Sequence, residues 1–176
     1  YAKFVFVINS SICSLSSSLI SVVISFVMIS SIPIFNFSTS SISIGDKYIF
    51  SPLGITEYSW KKYGKYCAGC TGLKMFNEDL HKIARLIYNN GTYNGKTIVP
   101  YEWIIEMRTP QVSHPTHRYI ADRAFPKWSY GLNLWICEDG TYYCDGTDGQ
   151  YMIIIPKKGI VITAMGHQAD TLPVSE

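Results

Sequence analysis

The hydrophobic positions divide the chain into an uncharged N-terminal stretch and a longer part with mixed periodicity. No charged residue lies between Phe4 and Gly45, and residues 19–35 are apolar apart from serines and a proline. A membrane-spanning helix needs about 18 or more apolar residues, and no small-x-small cleavage site marks a secretory signal. For residues 1–45 two interpretations stay open: a membrane-associated segment, or sequence that is not native to the domain.

Residues 46–176 carry the periodic patterns of a folded domain. Four apolar residues have the i, i+3, i+4, i+7 spacing of a helix: Leu80, Ile83, Ala84 and Ile87. Asn77 is predicted to cap this helix and Asn90-Gly91 to end it. Pro100 suits the first turn of a second helix, in which one face consists of Trp103, Ile104 and Met107.

The C-terminal part predicts antiparallel strands. Two hairpins are expected, one with its turn at residues 138–140 and one with its turn at residues 156–158. Their strands are predicted at Tyr130–Cys137, Thr141–Cys144, Gln150–Ile155 and Gly159–Met165. Residues 56–72 and 110–128 show no clear period and are interpreted as loops. Helices followed by an antiparallel meander are typical of an α+β fold.

Composition narrows the function without identifying it. The chain has 176 residues, enough for one ordinary domain. Its 15 basic and 13 acidic residues give a net charge of +2, and this balance does not indicate a nucleic-acid-binding protein. Because the chain begins with Tyr1 and not Met, we expect a fragment or a processed product. The apolar run at residues 19–35 leaves a membrane-associated or extracytoplasmic location open.

A glycine-bearing segment near the C-terminus is the first sign of a particular chemistry. Residues 145–151 contain Gly146 and Gly149 and lead into an apolar strand that Pro156 closes. Glycine lacks the Cβ that would collide with a ligand, so this segment suits close approach of backbone to ligand at the edge of a sheet.

Five short motifs, in order and at matching spacing, resemble those of the β-lactamase-related serine hydrolases. This group includes class C β-lactamases, D,D-peptidases and esterases. The matching residues are Ile49-Phe50-Ser51-Pro52-Leu53-Gly54-Ile55, Gly72-Leu73-Lys74-Met75 with Asp79-Leu80, Tyr93-Asn94-Gly95-Lys96-Thr97-Ile98-Val99-Pro100 with Glu102-Trp103, Tyr130-Gly131 with Trp135, and Gly146 to Pro156 with Gly149-Gln150. The resemblance covers roughly residues 48–167 and does not extend to residues 1–45. It implies the C-terminal portion of a β-lactamase/transpeptidase-like fold.

The resemblance also implies an acyl-serine mechanism acting on an ester, amide or peptide bond of a small-molecule or peptide substrate, with no cofactor. Cys144-Asp145-Gly146 occupies the position of the family's KTG element. The backbone N–H of Thr147 would then donate to the oxyanion, while Gly149 and Gln150 shape the entry to the next strand. The missing Lys and Thr of KTG argue against β-lactam recognition more than against hydrolysis.

The nucleophile is the weak point of the resemblance. An S-x-x-K occurs as Ser59 to Lys62 and a Y-x-N as Tyr88 to Asn90. Both follow Pro52-Leu53-Gly54, whereas the family's elements precede it, so both are interpreted as chance matches. We therefore expect a truncated hydrolase that is inactive as this chain. Two alternatives stay open: a non-catalytic membrane-associated or binding protein that retains the scaffold, and an enzyme with a rearranged site using Ser59 and Tyr88.

The cysteines and histidines do not predict a metal site. Cys67 and Cys70 have zinc-knuckle spacing, but the other cysteines do not complete it. If Asp139-Gly140 centres the first hairpin, Cys144 lies opposite Trp135, and a disulfide from Cys137 to Cys144 fits poorly. The histidines are predicted to lie on the helix surface (His81), in a solvated loop (His114 and His117) and after the last strand (His167).

Overall fold

A computed structural model describes residues 4–8, 45–64, 66–67, 72–113, 129–146 and 149–166. The apolar run at residues 19–35 lies outside these ranges, so its membrane association stays a prediction. None of the helices within the described ranges has the length and apolar character needed to cross a lipid bilayer.

Helices alternate with short strands up to residue 107, and the chain then continues as an antiparallel meander. A π-helical turn, Asp46–Phe50, continues into the first of the α-helices found within the described ranges, which are α1 Ser51–Leu53, α2 Asn77–Tyr88 and α3 Tyr101–Met107. The strands are β1 Phe4–Ile8, β2 Tyr58–Trp60, β3 Lys62–Tyr63, β4 Tyr66–Cys67, β5 Leu73–Met75, β6 Thr92–Tyr93, β7 Lys96–Thr97, β8 Val112–Ser113, β9 Ser129–Tyr130, β10 Trp135–Ile136, β11 Tyr142–Gly146, β12 Gln150–Ile155 and β13 Ile160–Ala164.

A seven-stranded sheet organises the molecule, in the order β1-β13-β12-β11-β10-β9-β8. Strands β8 to β13 pair antiparallel in chain order. Strand β1 comes from the uncharged N-terminal stretch and lies parallel to β13, with Phe4 opposite Ile160. The expected α+β architecture and the hairpin around residues 156–158 are confirmed.

Helix α2 packs its apolar stripe against β12 and β13. The predicted stripe residues Leu80, Ile83, Ala84 and Ile87 are all buried and belong to the main core. On β11 the side chains alternate between the two faces of the sheet. Tyr142 and Cys144 face the main core, whereas Tyr143 joins a smaller cluster with Cys137 and Ile153.

The ends of α2 differ in how well they were predicted. Asn90 and Gly91 adopt positive φ values of 54° and 85°, and the Gly91 N–H donates to the carbonyl of Leu86 at 2.8 Å, so the predicted end is confirmed. The predicted cap is wrong. Phe76 is the capping residue, and Asn77 is already helical. The Asn77 side chain donates instead to the carbonyl of Thr163 on β13, at 3.4 Å.

The strand predicted at Tyr130–Cys137 is broken in two. The chain turns at Gly131, whose N–H donates to the carbonyl of Leu134 at 2.8 Å. The N–H of Leu132 donates to the carbonyl of Met107 at 2.9 Å. A Cβ at Gly131 would overlap the Met107 carbonyl oxygen. The contact with the end of α3 therefore interrupts the strand, and sequence alternation does not reveal such a tertiary contact.

The segment interpreted as a loop at residues 56–72 also contains strands. Strand β2 pairs with β5, with Tyr58 opposite Met75, and β3 pairs with β4. Phe50 is buried beneath this region, and its ring lies 4.3 Å from that of Tyr58. Strands of two or three residues are too short to show a period of two, which is why the pattern did not predict them.

Candidate functional site

The predicted site residues that the structure describes lie at the connection between β11 and β12. Asp145 pairs with Tyr151, and Gly146 pairs with Gln150. Gly149, just before β12, has φ 83°, a conformation that favours glycine. Thr147 and Asp148 lie outside the described residues, so the role of the Thr147 N–H as oxyanion donor stays a prediction.

The expected position at a sheet edge is wrong for β11 as a whole. The strand lies inside the seven-stranded sheet, between β12 and β10. However, β10 has only two residues, and they pair with Tyr142 and Tyr143. The end of β11, at Asp145 and Gly146, therefore extends beyond the register with β10 while it stays paired with β12. The site lies at this strand end.

Cys144, which matches the KTG lysine position, faces the core and not the strand end. Its side chain is 3% exposed, and its Sγ donates to the carbonyl of Asn133 at 3.2 Å. Burial raises the pKa of the Cys144 thiol, and the charge of Asp145 adds to the effect. The residue is thus a neutral core thiol, and it does not supply the cation that the family's lysine carries.

Asp145 is hydrogen-bonded to Trp135, and the ring of Trp135 packs against Tyr130. Both aromatic residues belong to a motif that resembles the hydrolase family. The indole Nε1–H of Trp135 donates to Asp145 Oδ1 at 2.8 Å. The ring of Trp135 packs edge-on against that of Tyr130, with 4.5 Å between centroids. Trp135 lies opposite Tyr143, so Asp145 is its diagonal neighbour across the strands. Sequence reasoning placed Tyr130 and Trp135 in one motif and Asp145 in another, and missed that the three residues form one cluster. The available signal was the position of Asp145 on β11, two residues after Tyr143.

Tyr130 in this cluster is a neutral phenol at physiological pH. Burial, with smaller contributions from Cys144 and Asp145, raises its pKa to about 12. It can donate a hydrogen bond but does not act as a phenolate base near neutral pH.

Gln150 is almost fully buried at the start of β12, directly opposite Gly146. Gln150 is therefore part of the paired strand end that carries the candidate site.

The short patterns that resemble catalytic motifs lie on other elements. Ser59 is exposed on β2, and Lys62 is exposed on β3. Both strands belong to small two-stranded sheets that are separate from the seven-stranded sheet. Tyr88 is the half-buried last residue of α2.

His81 corrects the prediction of a surface histidine. It is 8% exposed and lies on the face of α2 that packs against β13, with Nδ1 3.3 Å from the Thr163 hydroxyl. Burial, followed by the charge of Arg85, lowers the pKa of His81. The available signal was Ala84 in the apolar stripe of α2, because residues three apart lie on the same side of a helix. His114, His117 and His167 lie outside the described residues.

No disulfide joins the cysteines within the described ranges, which are Cys67, Cys137 and Cys144. The predicted register was wrong by one residue, since Trp135 lies opposite Tyr143 and not Cys144. The register differs because the turn has three residues, 138–140. The Cys137 N–H donates to the carbonyl of Thr141 at 2.7 Å, and Gly140 has φ 86°. No cluster of three or more potential metal ligands occurs in the part of the chain that the structure describes. Cys70 lies outside it.

Comparison with known proteins identifies the fold. No protein-family model and no curated protein sequence matches the chain. Solved structures do match. A "putative beta-lactamase" from Bacteroides dorei DSM 17855 is 23% identical, with a TM-score of 0.59 over 72% of this chain and 43% of that one. A "putative 6-aminohexanoate-dimer hydrolase" from Bacillus anthracis is 25% identical, with a TM-score of 0.59 over 74% of this chain and 33% of that one.

A third match is EstCE1, a hydrolase with promiscuous acyltransferase activity, at 14% identity and a TM-score of 0.53 over 72% of this chain and 45% of that one. The chain thus spans between a third and just under half of the length of these three structures. The resemblance to β-lactamase-related serine hydrolases is confirmed as a partial match of the fold.

Proposed function

We propose that residues 145–150 form one wall of an acyl-serine hydrolase pocket, with the backbone N–H of Thr147 as the oxyanion donor. The parent activity would be hydrolysis of an ester, amide or peptide bond in a small-molecule or peptide substrate. The observation that carries the proposal is the end of β11, where Asp145 and Gly146 extend beyond β10 while pairing with β12.

The local geometry supports a backbone donor at this place. Gly146 carries no Cβ, and Gly149 takes a positive φ that brings the chain back into β12. The hydrogen bond from Trp135 holds the Asp145 side chain, so the backbone that follows starts from a fixed position. Preorganised N–H donors aimed at a developing oxyanion contribute strongly to acyl transfer, because they need no reorganisation during the reaction.

The substrate class follows in part from what replaces the KTG lysine. A lysine at the Cys144 position would supply a cation for an anionic substrate group. The Cys144 thiol is buried, neutral and bonded to Asn133. We infer an acyl substrate whose recognition does not depend on that cation, which weighs against β-lactams. No cofactor is required by this chemistry.

We further propose that the chain does not carry out this reaction with Ser59. In an S-x-x-K element the serine and lysine lie one helical turn apart and share a face. Ser59 lies in β2, and the backbone continues to Lys62 in β3. The two residues lie on strands of two different small sheets and not on one face of a helix, so we expect that Lys62 does not activate Ser59 in the usual way. The alternative of a non-catalytic scaffold shares this prediction.

Covalent labelling tests the nucleophile. The chain would be incubated with a fluorophosphonate probe and digested, and the peptide containing Ser59 would be analysed by mass spectrometry. We expect no adduct on Ser59. A stoichiometric adduct that Ser59→Ala removes would establish a rearranged active site, provided that Lys62→Ala reduces it and Lys61→Ala, which changes the neighbouring exposed lysine, does not.

A further inference from the structure

The part of the chain from Tyr58 to Asn77 carries positive charge only. It contains no acidic residue, although the whole chain has nearly as many acidic as basic residues. Its basic residues are Lys61, Lys62, Lys65 and Lys74. The described residues of this part form two small antiparallel pairs, β2 with β5 and β3 with β4, which do not belong to the seven-stranded sheet. The positive charge is thus concentrated on one small unit of the fold.

The two faces of the β2–β5 pair differ in character. Trp60 lies opposite Leu73, and both side chains are buried. Ser59 lies opposite Lys74, and both of these residues are exposed. Because successive side chains of a strand point to opposite faces, the pair has an apolar inner face and a polar outer face.

Lys61 extends the outer face. Its N–H donates to the carbonyl of Gly72 at 2.9 Å, which continues the pairing by one residue. A Cβ at Gly72 would overlap the Cβ of Lys61, so the lysine side chain leaves the pair on the side where Gly72 has none. Residues two apart in a strand share a face, so Lys61 lies with Ser59 and is the diagonal neighbour of Lys74, at about 7–8 Å. Two ammonium groups therefore share one exposed face.

An exposed tyrosine adjoins the two lysines. Tyr63 on β3 is 60% exposed, and the Nζ of Lys61 lies 5.1 Å from the centroid of its ring. We call Ser59, Lys61, Tyr63 and Lys74 the basic face. Tyrosine rings are enriched at the boundary between membrane and water, and lysines are attracted to anionic headgroups. The basic face combines both side-chain types.

Two carboxylates flank this unit, and the basic face keeps a net positive charge beside them. Asp46 accepts a hydrogen bond from the phenol of Tyr58, whose ring packs at 4.3 Å from that of the buried Phe50, on the inner side of the pair. Glu57 precedes β2 and is the acidic residue nearest to Ser59 in the sequence. A single carboxylate does not balance two lysines, so the outer face is complementary to an anionic partner.

We propose that the basic face docks onto a lipid bilayer that contains anionic headgroups. The ammonium groups of Lys61 and Lys74 bind headgroup phosphates, and the ring of Tyr63 lies among the headgroups. The whole chain carries a net charge of only +2 and contains an apolar run at residues 19–35, so a lipid surface fits it better than a nucleic acid. This docking is independent of the proposed hydrolase function.

Protection of lysine side chains from acetylation tests the docking surface. The full chain is treated with an amine-acetylating reagent beside vesicles of phosphatidylcholine, or of an equal mixture of phosphatidylcholine and phosphatidylglycerol, and each lysine is followed by mass spectrometry. We expect acetylation of Lys61 and Lys74 to slow severalfold with the mixed vesicles and not with phosphatidylcholine alone. Lys157, which is exposed in the turn between β12 and β13, is the internal reference and should react equally in both. Equal protection by the two kinds of vesicle would overturn the proposal.

Paired variants make the result specific. Co-sedimentation gives the ratio of binding to mixed and to phosphatidylcholine vesicles. Lys61→Gln with Lys74→Gln is expected to lower this ratio about 25-fold, since each lysine near an anionic surface contributes about fivefold. Lys157→Gln with Lys158→Gln removes the same charge from another exposed place and is the matched control. Equal losses in the two double variants would show that only the net charge of the chain matters, and would contradict a docking face.

A double-stranded oligonucleotide at the same phosphate concentration separates a lipid from a nucleic-acid partner. We expect it to protect Lys61 and Lys74 less than the mixed vesicles do, because a duplex offers no interface for the ring of Tyr63. Tyr63→Ala should therefore lower protection by the mixed vesicles and leave protection by the duplex unchanged. Protection by the duplex that equals that of the vesicles would overturn the lipid proposal in favour of a nucleic-acid surface.

Discussion

At the scale of single residues, His81 links the contact between α2 and β13 to pH. Its imidazole is buried against Thr163, and burial lowers its pKa from the ordinary value of 6.5. The neutral form is therefore the form that the fold accommodates. In the unfolded chain the imidazole is solvated and takes up a proton more readily.

We predict that the free energy of unfolding falls as the pH is lowered through 6.5 toward the folded-state pKa below it. In that window the unfolded state binds more protons than the folded state, so acid favours unfolding. Urea unfolding at several pH values measures this. In His81→Gln the pH dependence between 7 and 5 should be reduced. An equal slope in the two proteins would show that His81 is not responsible.

Asp145 shows how far single residues of the candidate site could be predicted. Its position at the strand entry and the nearby glycines follow from the sequence, because turn residues and strand patterns are local signals. Its hydrogen bond with Trp135 depends on the register between β10 and β11. The turn between the two strands has three residues and not the expected two. The predicted register was therefore shifted by one residue.

At the scale of elements, the connection from α2 to α3 depends on a close backbone approach. Gly91 ends α2 with φ 85°, and a Cβ there would overlap the carbonyl oxygen of Val99. The N–H groups of Ile98 and Val99 both donate to the Gly91 carbonyl. The hairpin of β6 and β7 is thereby closed onto the end of the helix.

We predict that Gly91→Ala destabilises the protein much more than Gly95→Ala. Both glycines have positive φ, 85° and 77°, so each alanine costs about 1–2 kcal/mol of backbone strain. A Cβ at Gly95 meets nothing within 4 Å. At Gly91 the overlap adds about 1–3 kcal/mol, as for an overpacked site. Chemical denaturation of the two variants gives the difference directly, and equal losses would contradict the close approach.

The elements that sequence reasoning predicted well are those whose signals are local. Helix α2 has a complete apolar stripe and a glycine end, and the β12–β13 hairpin has apolar strands on either side of the turn at Pro156. The break at Gly131 and the pairing of β2 with β5 depend on contacts with α3 and with a segment more than ten residues away. Local patterns do not contain such contacts, and neither feature was predicted.

At the scale of the whole molecule, the chain matches part of the fold of β-lactamase-related serine hydrolases, and we propose an oxyanion donor at one of its strand ends. Its match spans a third to just under half of the related solved structures. The proposal for the candidate site rests on one backbone donor, the N–H of Thr147. The direct question is whether the N–H of Thr147 binds an oxyanion.

Backbone NMR with a phosphonate monoester, a mimic of the tetrahedral intermediate, measures this most directly. Thr147→Pro removes the N–H, whereas Thr147→Ala keeps it and is the matched control. We predict a saturable shift of the residue 147 amide in the unaltered chain and in Thr147→Ala, and loss of binding, followed at the Gly149 amide, in Thr147→Pro. Equal binding by the two variants, or no saturable shift in the unaltered chain, would contradict the proposed oxyanion wall.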